Sequence, residues 1–218
     1  MANLISLHAT TPQPRIVEQL VQSLQTGAVL LYPTDTVYAI GCDLNHKGAI
    51  QRVRQLKQLS NDKPLTFLCP SLSDISRYAY VSDPAYKLMR RLIPGPYTFL
   101  LGATKLVPKL VQNPKRKTTG IRVPDSAICQ ALLTALGNPI ISTSAPLPPD
   151  QDHYRDTAEL FDRFDRLVDV IIDAEIVPGR AVSTIIDCGV EPPKIVRRGL
   201  GWENLPMELQ ESDELAYL

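Results

Sequence analysis

The stretch "GNPIISTSAPLPPD", Gly137 to Asp150, decides how the rest of the chain is read. An apolar run leads into three hydroxyls, Ser142, Thr143 and Ser144. Pro146, Pro148 and Pro149 then bar any regular continuation. Proline fixes its own φ and pushes its predecessor out of the helical region, so a strand running into it stops abruptly. Side chains two apart on a strand share a face, so Ser142 and Ser144 point to one side. Local chemistry leaves two uses open: the hydroxyls line a polar cavity, or they only satisfy a strand end.

The same construction recurs on both sides. "AVLLYPT", "PLTFLC", "PGPYTFLLGA" and "TTGIRVPD" are short apolar runs bounded by prolines, and each reads as a strand. Between them lie amphipathic stretches. "IVEQLVQSLQTG" carries Ile16, Leu20, Val21 and Leu24 at helical spacing and ends at Gly27. "KGAIQRVRQLKQL" repeats the period through Ile50, Val53 and Leu56. "DPAYKLMRRLI" reads as a helix capped by Asp83, and "SAICQALLTALG" as one ending at Gly137. "DTAELFDRFDRLVDVIID" gives a helix and then a strand, and "AVSTIIDC" and "PKIVRRG" a closing pair of strands. Alternating helices and strands predict an α/β domain on a mixed sheet over residues 1–202. Beyond Trp202 the only charges are acidic, and residues 203–218 are expected to form an acidic surface tail.

With 218 residues, 44% hydrophobic and 21% charged, the chain can bury a core without staples. Cys42, Cys69, Cys129 and Cys188 lie far apart with no CxxC pair. They signal neither a zinc site nor a disulfide framework, and free thiols point to a reducing, cytoplasmic setting. The N-terminus has no basic stretch followed by an apolar one, and runs such as "AVLLY" are too short to span a bilayer, so a soluble protein is expected. Net charge is zero but unevenly spread. Lys105, Lys109, Lys115, Arg116, Lys117 and Arg122 follow one another with no acid between them. Such a segment is either a polyanion contact or a solvated loop.

Chemistry-bearing residues gather at the strand ends. "YPTDTVYAIGCD" places Thr34, Asp35, Thr36 and Tyr38 at a strand mouth. "VRQLKQLSNDKPL" sets Lys57 and Lys63 around a polar turn that could cradle phosphates, although it lacks a Walker glycine. In "KRKTTGIRVP", Arg122 sits between two apolar residues, where a planar bidentate donor suits a carboxylate or phosphate. "RAVSTIID" repeats the hydroxyl pattern with Ser183 and Thr184. The three histidines, His8, His46 and His153, occupy no nucleophile context, and no G-x-S-x-G is present. Hydroxyls that bind a polar ligand fit better than a serine nucleophile.

Taken in order, "YPTDTVYAIGCD", "KPLTFLC", "PGPYTFLL", "TTGIRVPD", "PIISTSA" and "VSTIID…KIVRRG" resemble the YrdC-like family, which includes the L-threonylcarbamoyladenylate synthases. The resemblance runs from about Val17 to Gly199. It implies a twisted open α/β sheet with flanking helices around a large basic cavity. It implies ATP, L-threonine and bicarbonate as substrates, with magnesium possible and no metal held by the protein. It also implies a link to threonylcarbamoyladenosine in tRNA. By this resemblance Thr34, Arg122, Ser142 and Ser183 would meet the amino acid. Lys57, Lys63, Thr118, Ser144 and Arg197 would meet the nucleotide. Lys115, Arg116 and Lys117 would meet tRNA or double-stranded RNA. No residue is assigned a catalytic role. Two synthase signatures differ here. Lysine–any–arginine is Lys57-Gln58-Leu59, and serine–any–asparagine is Ser144-Ala145-Pro146. This pattern is most similar to the YciO subgroup. Two functions are therefore expected in contrast: a synthase-like enzyme, or an RNA-binding protein without robust synthase activity.

Overall fold

The structure is a computed structural model and describes residues 1–59, 64–148, 151–177 and 179–214. Among these, eleven strands form one mixed sheet and seven α-helices flank it. The chain opens with β1 (Asn3–Ser6), α1 (Pro14–Gln25), β2 (Leu30–Tyr32), β3 (Ala39–Asp43), α2 (Lys47–Leu56) and β4 (Thr66–Leu68). It continues through α3 (Leu72–Tyr78), β5 (Ala79–Tyr80), α4 (Asp83–Leu92), β6 (Tyr97–Ala103), β7 (Thr118–Arg122) and α5 (Ala127–Leu136). It ends with β8 (Ile140–Ser144), α6 (Thr157–Phe164), β9 (Val170–Asp173), β10 (Thr184–Asp187), β11 (Lys194–Arg197) and α7 (Met207–Glu214). The sheet order is β1-β9-β2-β3-β8-β4-β7-β6-β10-β11, with β5 pairing off β6.

Strand alternation divides the core into two layers. Leu31, Ile40, Phe67, Ile121, Ile141 and Ile171 face one side, where α2, α3, α4 and α6 cover them. Their neighbours Leu30, Ala39, Leu68, Ile140 and Val170 face the other side, beneath α1 and α5. Each fully buried leucine, isoleucine or phenylalanine contributes about 1.5–3 kcal/mol, which holds the sheet between its helices. The pair α1 and α5 covers only part of its face. Over β8, β4, β7, β6 and β10 that face carries Ser142, Ser144, Thr66, Gly120, Arg122 and Thr98 and opens into a cavity.

The sequence motifs fold locally as their chemistry directs. Gly27 lies at φ +95° just beyond α1, and the Ala28 N–H reaches back to the Ser23 carbonyl to close the helix end. Ser82, not Asp83, caps α4, because its hydroxyl accepts from the Ala85 N–H while Asp83 is already helical. From Trp202 on, where an acidic tail was expected, the chain makes a 3₁₀ turn and then α7. Glu203 and Glu208 are exposed, whereas Leu205 and Leu209 are buried in the main core. No helix among the described residues is long and apolar enough to cross a membrane.

Candidate functional site

The uncovered face of the sheet forms the floor of a cavity of about 390 Å³. Register explains which side chains meet there. Ser142 on β8 lies opposite Gly41 on one side and Thr66 on the other, and Thr66 in turn lies opposite Gly120. Gly120 is required for this close approach: a Cβ there would stand 2.6 Å from the Thr66 hydroxyl. Tyr32, on the same face of the sheet, donates to the Ser142 hydroxyl at 2.8 Å, which leaves the Ser142 proton directed elsewhere.

Arg122 ends β7 and is buried, as is its partner Asp35, with side-chain exposures of 8% and 11%. The two form an ion pair at 2.6 Å. A second terminal nitrogen donates to Thr36 at 2.9 Å and Nε donates to the Gly95 carbonyl at 3.3 Å. The Pro94-Gly95-Pro96 turn supplies that carbonyl. Three protein acceptors therefore fix the guanidinium plane, and each terminal nitrogen keeps a second N–H for a ligand. The other Asp35 oxygen is buried without a hydrogen-bond partner among the described residues.

Lys57 and Arg197 are held differently. The Lys57 ammonium donates to the Ser144 carbonyl at 2.9 Å and to its hydroxyl at 3.0 Å. Arg197 donates to the Ser183 carbonyl at 2.7 Å and to its hydroxyl at 3.3 Å. Neither cation has a carboxylate partner among the described residues. Burial, and then the nearby Arg197, hold the Lys57 pKa below the ordinary lysine value. Burial and then Arg122 lower that of Arg197. Two cations without a carboxylate partner among the described residues, in a partly dry cavity, are an arrangement that suits an anion.

Local backbone geometry delivers Lys57 to this place. Helix α2 ends with Gln58 at φ +52°, and the Leu59 N–H reaches the Arg54 carbonyl while the Gln58 N–H reaches that of Gln55. This is the Schellman arrangement, built without glycine. It turns the chain so that both Lys57 and Leu59 line the cavity.

Of the residues singled out from sequence, Thr34, Lys57, Arg122, Ser142, Ser144, Ser183 and Arg197 all line this cavity. The Thr34 hydroxyl donates to the Val37 carbonyl at 2.7 Å and accepts from the Thr36 N–H, so it shapes the turn that carries Asp35 and Thr36. Thr118 is buried at the far end of β7 and does not line the cavity. Lys63 lies outside the described residues. Lys115, Arg116 and Lys117 form an exposed loop before β7, and Arg116 is tied to Asp187 at 2.6 Å. Of the two altered signature positions, Leu59 lines the cavity and Pro146 does not. Instead the Pro146 carbonyl accepts from the Tyr154 hydroxyl.

Thr36, singled out at the strand mouth, lines the cavity too, and so do two hydroxyls that sequence reading missed, Thr66 and Thr98. Thr98 shares a 2.8 Å hydrogen bond with Ser183. A signal for Thr66 and Thr98 was present: in both "PLTFL" and "PYTFL" a threonine precedes a phenylalanine that is fully buried on the opposite face. No group of three or more metal-ligating side chains occurs among the described residues, and Asp35, next to the cavity, is already paired with Arg122. These residues do not fit a protein-held magnesium ion.

The Sua5/YciO/YrdC family model, described as "Telomere recombination", matches residues 22–199. The uncharacterized protein YciO of Escherichia coli K12 is 40% identical over 92% of this chain and 97% of its own. Its crystal structure superposes with a TM-score of 0.86 at 39% identity, over 92% and 97% of the two chains. Threonylcarbamoyl-AMP synthase of Vibrio vulnificus is 30% identical over 84% of this chain and 98% of its own. P. abyssi Sua5 complexed with L-threonine shares the fold, with a TM-score of 0.82 at 24% identity over 96% of this chain and 60% of that one. A mixed α/β sheet, a cavity of strand-end hydroxyls and this match over most of the chain place the protein in the Sua5/YciO/YrdC family.

Proposed function

We propose that this protein is a nucleotidyltransferase of the threonylcarbamoyl-AMP synthase type, using ATP, L-threonine and bicarbonate. The observation that carries the reading is the pair Lys57 and Arg197. Both are cationic, both are anchored on serine oxygens at the cavity wall, and neither is neutralised by an acid among the described residues. Phosphoryl chemistry needs fixed cations and donors around spreading negative charge more than it needs a protein nucleophile.

In this reading the threonine amine takes up the carbon of bicarbonate with loss of water, giving an N-carboxylate. One oxygen of that carboxylate attacks the α-phosphorus. The bond from the α-phosphorus to the bridging oxygen breaks, and pyrophosphate leaves with the electron pair. The free N–H bonds of Arg122 would take the amino-acid carboxylate, with Thr36 and Asp35 fixing the guanidinium plane. Lys57 and Arg197 would take phosphate oxygens. Ser142 and Ser183 would orient the acyl group. Any magnesium would arrive on the phosphates as part of the substrate. A relative named threonylcarbamoyl-AMP synthase and a structural neighbour complexed with L-threonine support the reading. Pyrophosphate release from ATP that requires both threonine and bicarbonate tests it. Release indifferent to either co-substrate would contradict it.

A second reading, binding of tRNA or double-stranded RNA through the basic loop, draws support from the exposed side chains of Lys105, Lys109, Lys115 and Lys117. Salt-sensitive RNA binding that weakens when those lysines are neutralised is its signature.

A further inference from the structure

Ser142 is hydrogen-bonded differently from the threonines that share its cavity. The Thr36 hydroxyl accepts from Arg122 at 2.9 Å and lies 3.0 Å from that of Thr34, which itself donates to the Val37 carbonyl. The protons of both threonines are therefore used within the wall. Ser142 is 6% exposed, and its oxygen accepts from Tyr32 at 2.8 Å. Its own proton meets no acceptor among the described residues.

Tyr32 reaches Ser142 from two strands away. β3 lies between β2 and β8, and its Gly41 stands opposite Ser142. A Cβ on Gly41 would lie 2.9 Å from the tyrosine Cε1 and 3.0 Å from its hydroxyl oxygen. The glycine thus leaves the space that the ring occupies. Tyr32 is 1% exposed and does not line the cavity. Burial, and then the neighbouring Cys129, push its pKa up, so the hydroxyl keeps its proton and stays a donor.

We infer that Tyr32 is a positioning residue that sets the polarity of Ser142: by occupying a lone pair of the Ser142 oxygen, it commits that hydroxyl to donating into the cavity, toward an acceptor oxygen of the ligand. This rests on the reading above, in which Ser142 orients the acyl group, and names the atom it holds. One oxygen of the N-carboxylate takes the Ser142 proton, and the other is left to attack the α-phosphorus. A serine without Tyr32 could turn and accept from a ligand N–H instead. Gly41 belongs to the same device, because it lets the ring through.

The test is a double-mutant cycle on the full chain, read by calorimetric binding of N-carbamoyl-L-threonine, a stable analogue with an amide nitrogen in place of one carboxylate oxygen. Wild type should bind it, and Tyr32→Phe should weaken binding about five-fold, the order of one lost neutral hydrogen bond. In a Ser142→Ala background the same change should cost less than about two-fold, because Tyr32 acts only through that hydroxyl. A merely structural role would weaken both backgrounds alike. Equal losses in the two backgrounds, or no loss in Tyr32→Phe, overturn this inference alone. Should Tyr32→Phe not fold, the buried Tyr32 hydroxyl proton of the wild type decides. Its NMR resonance should move when the analogue binds, because the oxygen that accepts it becomes a donor to the ligand, and a resonance that stays still overturns the inference. Wild type that does not bind the analogue overturns the reading of the acyl site and this inference with it.

Discussion

Replacing Leu59 by arginine should add a third cation to the two, Lys57 and Arg197, that line the cavity without a carboxylate partner among the described residues. Leu59 lines the same cavity as Lys57 and Arg197, and a left-handed Gln58 aims it there. Removing one donor to a developing anion costs about 10²–10³ in rate, or about 2.7–4 kcal/mol, so supplying one has that range as its upper limit. The free protein should suffer. Leu59 packs against the main core, and losing part of that contact forfeits a share of the roughly 1.5–3 kcal/mol a buried leucine provides. Like charges about 8 Å apart at an effective dielectric of about 20 repel by about 2 kcal/mol. The variant should therefore melt earlier without ligand and be stabilised more by ATP than the parent is. Pyrophosphate release and ATP-dependent thermal shift measure both effects. Pro146→Asn is the control. That position does not line the cavity, so an added amide there should leave the rate near the parent's. A folded Leu59→Arg protein with no gain in rate or ATP affinity would refute the reasoning. So would a gain from Pro146→Asn alone.

Four further outcomes follow from the same geometry. Asp35→Ala strands a buried guanidinium and should cost about 3–5 kcal/mol in urea unfolding, whereas Asp35→Leu with Arg122→Met should recover most of that while abolishing substrate-dependent pyrophosphate release. Because burial and Arg197 depress the Lys57 pKa, its charge is present below that pKa and lost above it. Pyrophosphate binding should thus weaken at a pH below the ordinary lysine value of about 10.4. A bound anion raises the pKa again, so calorimetry in buffers of different ionisation enthalpy should register proton uptake there, and Lys57→Arg should remove it. Neutralising Lys115 and Lys117 should lower the salt slope of any RNA binding more than Arg116→Ala does, because Arg116 already pairs with Asp187. Leu209→Ala should destabilise the protein by about 2–5 kcal/mol in urea unfolding if α7 is an integral part of the core.

Much of this was legible because proline, hydroxyl and period-two signals coincide in the strands that form the cavity floor. Ser142 and Ser144 face the cavity for the reason their spacing gave. Arg122 between Ile121 and Val123 was conspicuous because a charge inside an apolar strand demands a partner. What stayed hidden depends on distant chain segments meeting. That the partner of Arg122 is Asp35 follows from the position of β7 across the sheet, not from anything beside either residue. Ser144 and Lys57 are likewise joined only by folding. The end of α2 carries no glycine, so its left-handed turn gave no signal. The acids after Trp202 masked Leu205 and Leu209, a pair four residues apart that seats the last helix. β1 and β5 are short and partly exposed, with little alternation to detect. Pro146 stands where the synthase signature has asparagine, and it does not line the cavity; its carbonyl instead accepts from the Tyr154 hydroxyl.

The most direct measurement is product identity. The chain is incubated with ATP, L-threonine and ¹³C-bicarbonate, and the nucleotides are resolved by mass spectrometry. The account predicts an acyl-adenylate carrying one labelled carbon, formed by the wild type and strongly diminished in Lys57→Met. ATP left intact, or cleaved without a labelled acyl-adenylate, would contradict it.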